Sequence, residues 1–358
     1  MKIFIKTYGC QANVNDSEIL ASKLINQGNE IVETESQADK IIVNTCAVKN
    51  KTQSKILHYL KKNSDKEIEI GGCLTKSLDF HKNFPRTKII DTINTNKLSK
   101  NISRKNKEIA IIQICQGCLN YCTFCSTKLA RGNLKSYRIG DIKRTFESSI
   151  NQGCNLIYLT SQDNGAYGKD IKTSLPELLD ELTNVEGNYK IRVGMMNPWH
   201  LRKIKKQIIE SYKSPKIIKF IHIPVQSGSE KVLKDMKRIH TVEEFREIVD
   251  LFRKNFPREK FPDSTIATDI IVGYPTETEE DFQKTFNLIK ETKPEVLNIS
   301  SFSSRPGTKA SKLKQLSSEV IKERTKRLNS LYMGYRKEIE KNIPQINENE
   351  NLKLSVIS

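Results

Sequence analysis

The stretch IAIIQICQGCLNYCTFC, Ile109–Cys125, joins a β-branched run to four crowded cysteines. Ile109–Ile114 reads as a strand, and the cysteines as a loop at its carboxyl end. Two metal chemistries compete for that loop. As two Cys-x2-Cys pairs, Cys115/Cys118 and Cys122/Cys125 would form a tetrathiolate zinc site. Structural zinc sites usually separate their pairs by about a dozen residues or more. Only three residues intervene here, and closing four ligands round one tetrahedral ion would strain the loop. As Cys118-x3-Cys122-x2-Cys125, the loop offers three thiolates to an iron–sulfur cluster. Clusters of this kind take four ligands. Three thiolates leave one iron open to a small molecule with amino and carboxylate groups.

Working outward, further strands are expected at Leu156–Thr160, Lys190–Val193, Ile217–Ile223, Thr265–Val272 and Val296–Ser300. Helices are expected between them, at Asp141–Asn151, Leu175–Leu182, Thr241–Lys254 and Glu277–Lys290. Six βα units fit a partial TIM-type barrel; a complete one has eight. Upstream, strands at Lys2–Thr7, Lys40–Thr45 and Glu67–Ile70 alternate with helices at Asp16–Asn26 and Lys51–Lys62. That alternation predicts an open parallel α/β sheet. Cys10, Cys46 and Cys73 each fall just after one of these strands and before a helical segment. The carboxyl edge of such a sheet is where ligands bind, so the three can converge there. The plainer reading is three buried core cysteines.

The 358 residues suit two or three domains. The expected division is 1–96, an N-terminal α/β domain; 97–108, a basic linker; 109–316, the barrel-like core; and 317–358, a basic amphipathic helix with a short polar tail. The net charge of +18 favours a polyanionic partner, nucleic acid above all. A lysine-rich codon bias would produce the same excess. Mean hydropathy is −0.53, and no apolar run approaches the ~18 residues a spanning helix needs. No leader is evident, so the expectation is a cytoplasmic protein with no membrane partner. In that compartment the eight cysteines point to metal rather than disulfides.

Cys118, Cys122, Phe124 and Cys125, placed after the first strand of the barrel, resemble the radical S-adenosylmethionine superfamily. The resemblance implies that these three cysteines hold a reductive 4Fe–4S cluster, with Cys115 a bystander. It implies that S-adenosylmethionine binds the open iron and yields a 5′-deoxyadenosyl radical. The N-terminal half is similar to the methylthiotransferase family, the MiaB/RimO group. The similarity lies in Thr7-Tyr8-Gly9-Cys10-Gln11, Asn15-Asp16-Ser17-Glu18, Asn44-Thr45-Cys46 and Gly72-Cys73. It continues through Leu159–Asp163, His222–Ser229, Asp269–Pro275 and Ser304–Thr308, covering roughly residues 1–335. In that family the three N-terminal cysteines hold a second, auxiliary 4Fe–4S cluster that passes on sulfur. Cys118–Cys122, Ala130–Leu134, Thr160–Gly168 and Arg192–Met195 look most like its archaeal and eukaryotic branch. That branch adds a methylthio group to C2 of N6-threonylcarbamoyladenosine in tRNA. The implied partners are tRNA, an electron donor and a sulfur donor. The sequence leaves the oligomeric state open.

The resemblance carries expectations for other residues. Phe124 should pack beside the adenine of S-adenosylmethionine. Ser161, Gln162, Gln226, Ser227 and Asp269 follow strands and should bind its polar ends. Gly273 should let backbone approach the cofactor, or simply make a turn. Lys128, Arg131, Lys135 and Arg138 lie in a stretch without acids and should contact RNA phosphates. Arg202–Lys219 and Lys309–Lys341 are further basic faces. His200, His222 and His240 read as structural or substrate-facing, and Cys154 as core. One departure stands out: residues 342–358 are too few for the small β-barrel, TRAM, that usually ends the family, so that domain is expected to be absent. Rival readings are modification of isopentenyladenosine in tRNA, modification of a ribosomal-protein aspartate, and a non-catalytic metal-containing RNA binder.

Overall fold

The computed structural model describes residues 1–47, 50–78, 80–99 and 102–341. The expected polar tail lies outside these residues. The chain divides into two units. The first contains Met1–Ile218, Asp235–Arg238 and Ser303–Lys314; the second contains Lys219–Lys234, Ile239–Phe302 and the chain from Gln315.

The N-terminal sheet comprises β1 (Lys2–Thr7), β2 (Glu30–Val32), β3 (Lys40–Thr45), β4 (Ile68–Gly72) and β5 (Thr87–Ile89). All pairings are parallel, in the order β2-β1-β3-β4-β5. This is the flavodoxin-like order, which binds ligands where the strand order reverses, between β1 and β3. Helices α1 (Gln11–Asn26), α2 (Asn50–Lys62) and α3 (Phe80–Asn83) connect the strands. Ile3 and Ile42 pack with Leu20 in one cluster. Val43 and Ile70 pack with Ile56 and Leu60 in another. Burial of β3 on both sides explains its unbroken apolar run. The edge strands β2 and β5 are only three residues long, too short to show alternation in sequence.

The first unit continues with β6 (Ile109–Gln113), β7 (Cys115–Gln116), α4 (Thr127–Arg131), β8 (Lys135–Ser136), α5 (Ile139–Asn151), β9 (Leu156–Thr160), α6 (Leu175–Thr183), β10 (Lys190–Val193), α7 (Pro198–Leu201) and α8 (Lys205–Tyr212). Its second sheet is parallel, in the order β10-β9-β6. The second unit has a parallel sheet of β11 (Phe220–His222), β12 (Thr265–Val272) and β13 (Val296–Ser301), in that order. Its helices are α9 (Glu230–Asp235), whose last residue belongs to the first unit, α10 (Val242–Asn255), α11 (Glu279–Thr292) and α12 (Ser318–Lys341). Thr241 and Thr278 form capping boxes with Glu244 and Asp281, fixing the starts of α10 and α11.

All six expected core strands are present, as two open three-stranded sheets. One is shorter than expected. Ile217 bridges to Ile191 on β10, whereas Phe220–His222 pairs with β12. The run changes partners after Ile218, and no single strand spans it. Helix α1 begins five residues earlier than its apolar periodicity indicates. Its first turns carry Asn13, Asn15 and Asp16, which are polar yet fully buried. The expected linker also departs from a purely solvated run, because Lys97 at its start is buried.

Candidate functional site

Cys10, Cys46 and Cys73 follow β1, β3 and β4, which are neighbours at the centre of the sheet. The parallel register sets Thr7 beside Asn44 and Thr45 beside Gly72, so all three loops leave one edge. Gly9 has φ +112°, and its backbone passes against Cys46. Polar side chains lace the loops together. The Asn13 amide donates to the Tyr8 and Thr45 carbonyls, each at 2.8 Å. The Asn44 amide donates to the Asn13 carbonyl and to Ser17 Oγ. Thr45 Oγ1 donates to the Gly71 carbonyl at 2.6 Å. Cys46 and Cys73 are buried and Cys10 is exposed. Burial pushes the Cys73 thiol up to about 11; the Arg131 charge opposes this, and Cys10 and Cys46 reinforce it.

The second trio lies on a loop pinned at its base. Cys115 pairs with Ser136 and Gln116 with Lys135, antiparallel, so β7 and β8 clamp residues 117–134. Gly117, at φ +78°, turns the chain where a Cβ would collide with the Asn133 carbonyl. The Cys118 amide then bonds the Gly132 carbonyl at 3.1 Å. Three donors meet the three sulfurs. Asn120 N–H lies 3.4 Å from Cys118 Sγ, Thr127 N–H 3.4 Å from Cys125 Sγ, and Arg238 Nη1 3.9 Å from Cys122 Sγ. Burial pushes Cys118 up to about 12 and also raises Cys122. Metal binding would displace these protons, as thiolate ligation requires.

The two trios adjoin within the first unit. Ser126, next to Cys125, bonds the carbonyl of Ala47, next to Cys46. Arg305 is buried and feels the charges of both Cys46 and Cys125. Helix α4, directly after the second trio, sends Arg131 to the first: its Nε lies 3.3 Å from Cys73 Sγ.

Behind the loop sits a buried polar chain. Asp163 accepts from the Gly165 and Asn197 amides and from the Asn120 side chain. His200 Nε2 faces Asn120 Oδ1 at 3.1 Å, and its Nδ1 faces Lys169. Burial, then Lys169, holds His200 down to about 3, so its ring is neutral. Asn120 therefore fastens the cysteine loop to β9 and α7. Sequence reading gave Asn120 and Asp163 no role of their own; their only signal was membership of the quoted motifs.

The other expected site residues fall as follows. Phe124 is half-buried on the cysteine loop. Gln162 accepts from Gly117 N–H at 2.7 Å, and Ser161 bonds the Cys115 thiol. In the second unit, Gln226 is buried at φ +74°, a conformation unusual for a side chain of its size. Ser227 is fully buried, its hydroxyl facing Thr285 Oγ1 and accepting from Ser229 N–H. Asp269 bonds His222 at 3.1 Å and Asn298 at 2.8 Å. Gly273, at φ +79°, has no room for a Cβ because Ile321 of α12 would meet it at 2.5 Å. Helix packing thus accounts for this glycine. Lys128 bonds the Cys118 carbonyl and lies over the Tyr121 ring. Lys135 and Arg138 are exposed. Arg131 is corrected from an RNA contact: it is buried, with its guanidinium committed to Asp16, Asn13 and Cys73. Cys115 and Cys154 are buried, and His240 lies inside the second unit.

Among the described residues, no group of three His, Cys, Asp or Glu is arranged to hold a single metal ion. A cluster sets a different demand, since each thiolate binds a separate iron. The residues fit such a group. The Cys118, Cys122 and Cys125 sulfurs each meet an N–H donor, Cys73 meets Arg131 Nε, and buried Arg131 Nη1 has no protein partner. No helix among the described residues is long and apolar enough to cross a membrane.

Comparison with known proteins finds matches in both halves of the chain. Residues 112–289 match the Radical SAM superfamily, and residues 2–93 match the Uncharacterized protein family UPF0004. A probable threonylcarbamoyladenosine tRNA methylthiotransferase of Pyrococcus horikoshii is 40% identical over 95% of this chain and 86% of its own. The counterpart from Archaeoglobus fulgidus is 39% identical over 92% and 83%. The Homo sapiens threonylcarbamoyladenosine tRNA methylthiotransferase is 37% identical over 93% of this chain and 63% of its own. Among solved structures, the radical S-adenosylmethionine methyltransferase TsrM from Kitasatospora setae shares the fold. Its TM-score is 0.62 at 13% identity, over 87% of this chain and 75% of that one. The chain belongs to the radical S-adenosylmethionine superfamily and, within it, to the threonylcarbamoyladenosine tRNA methylthiotransferase family.

Proposed function

We propose that this protein adds a methylthio group to C2 of N6-threonylcarbamoyladenosine beside the tRNA anticodon. The observation that carries this is similarity to threonylcarbamoyladenosine tRNA methylthiotransferases across both cysteine-bearing halves. Its cofactors are two 4Fe–4S clusters and S-adenosylmethionine. When bound, they supply the one-electron cleavage, the radical and the sulfur.

Cys118, Cys122 and Cys125 hold the reductive cluster, and Cys10, Cys46 and Cys73 the auxiliary one. Residues 1–96 form the auxiliary domain, 97–108 the connection, 109–316 the radical core and 317–358 the C-terminal extension. The Asn120–Asp163 bond keeps the reductive loop in one geometry, and the Asn13 amide does the same for the auxiliary loops. Such fixing matters because a displaced radical centre reacts with the wrong hydrogen. Phe124, Ser161 and Gln162 are assigned to S-adenosylmethionine. Lys128, Lys135 and Arg138 are assigned to tRNA phosphates. An electron donor and a sulfur donor complete the reaction, which takes place in the cytoplasm.

The test is anaerobic reconstitution, followed by incubation with S-adenosylmethionine, a reductant, sulfide and tRNA bearing threonylcarbamoyladenosine. Mass spectrometry of the nucleosides should show the methylthio derivative. A methylthio group found only on isopentenyladenosine or on a ribosomal protein would overturn the substrate assignment.

A further inference from the structure

Arg131 and Asp16 are buried together beside the auxiliary trio. Arg131 belongs to α4, which directly follows the reductive loop, but its side chain is only 1% exposed. Its Nη2 lies 2.5 Å from Asp16 Oδ2 and 2.8 Å from Asn13 Oδ1. Its Nε lies 3.3 Å from Cys73 Sγ, and its Nη1 is buried with no partner. The other Asp16 oxygen accepts from Lys97 Nζ at 2.5 Å and from Gln113 Nε2 at 2.8 Å. One buried carboxylate therefore faces two buried cations. Buried charge is costly unless matched. The cation left over by this arithmetic is the one whose guanidinium touches a ligand sulfur. An oxidised cubane core is a dication, so three thiolates make the ligated cluster a monoanion. That is the charge the surplus cation lacks.

We infer that Arg131 is a positioning residue that balances the charge of the auxiliary cluster and sets its reduction potential, with Asp16 as counterweight. The inference rests on the assignment of Cys10, Cys46 and Cys73 to that cluster. A hydrogen bond to a ligand sulfur and a nearby positive charge both stabilise the reduced, more negative cluster. The radical core thereby supplies the electrostatic environment of the neighbouring domain's metal.

The test uses the full chain carrying Cys118→Ala/Cys122→Ala/Cys125→Ala, so that only the auxiliary cluster remains. Iron content and an electron-paramagnetic-resonance redox titration are read together. Arg131→Gln should lower the potential enough to cut the reduced fraction about tenfold at fixed potential, ~59 mV for one electron. Asp16→Asn, which removes a negative charge, should move it the opposite way. Loosened packing alone gives no such reversal of sign. If Arg131→Gln does not fold, the upward shift in Asp16→Asn carries the test. Retained iron with an unmoved potential, or with both variants shifting in one direction, overturns this inference alone. A parent variant without iron overturns the cluster assignment itself, and the inference with it.

Discussion

The Ser126 hydroxyl donates to the Ala47 carbonyl across 3.3 Å, tying the residue after Cys125 to the residue after Cys46. Two thiol trios more than forty residues apart in the chain are thus fastened edge to edge within one folded unit. The contact holds the two cysteine loops close without a covalent link between them.

Gly9 packs directly against the Cys46 side chain. A Cβ there would lie 2.7 Å from Cys46 Cβ and 2.8 Å from its Sγ, on a backbone already at φ +112°. Gly9→Ala should displace Cys46 and empty the auxiliary site. Iron per chain should fall from about eight to about four, with S-adenosylmethionine cleavage retained. Iron assay and product chromatography check this.

Asn13→Ala would leave the Tyr8 and Thr45 carbonyls without their donor. Loss of two such bonds at a buried site destabilises by about 2–4 kcal/mol. A denaturant midpoint measured on the metal-free chain should fall accordingly.

Glu18 is buried, and its Oε2 has no partner. Burial raises its pKa from 4.5 to about 7. Between those values the folded chain holds a proton that the unfolded chain has lost. Stability therefore falls as pH rises through this window, and the penalty is complete above about pH 7. Glu18→Gln should stabilise the chain at pH 8 by on the order of 2–3 kcal/mol and by nothing below the unfolded pKa. Melting curves across pH decide it.

Arg324 holds α12 to the loop after β12 through Glu277, at 2.9 Å, and Glu277 also accepts from Gly273 N–H. Arg324→Ala strands a buried carboxylate and should cost about 3–5 kcal/mol. Hydrogen exchange along α12 should rise first.

The sequence made some parts of this arrangement legible and hid others. The strands β1, β3, β9, β10 and β12 fall at the expected residues; β1 shows through its alternation, and β3 and β9 through apolar runs that burial along nearly their whole length leaves in the composition. The cysteine spacings were equally plain. The polar interior was not. Asn13, Asp16 and Asp163 carry no apolar periodicity that marks them as interior, and only the fold reveals the carbonyls and cations they meet. Arg131 was misread for the same reason: a basic residue in an acid-free stretch looks like a phosphate contact until its partner, 115 residues away in sequence, is in view.

The most direct measurement compares two triple variants under anaerobic conditions, by iron content, S-adenosylmethionine cleavage and tRNA methylthiolation. Cys10→Ala/Cys46→Ala/Cys73→Ala should keep about four irons and the cleavage reaction but form no methylthio nucleoside. Cys118→Ala/Cys122→Ala/Cys125→Ala should keep about four irons and lose both activities. Methylthiolation persisting in the first variant, or cleavage in the second, would contradict the account.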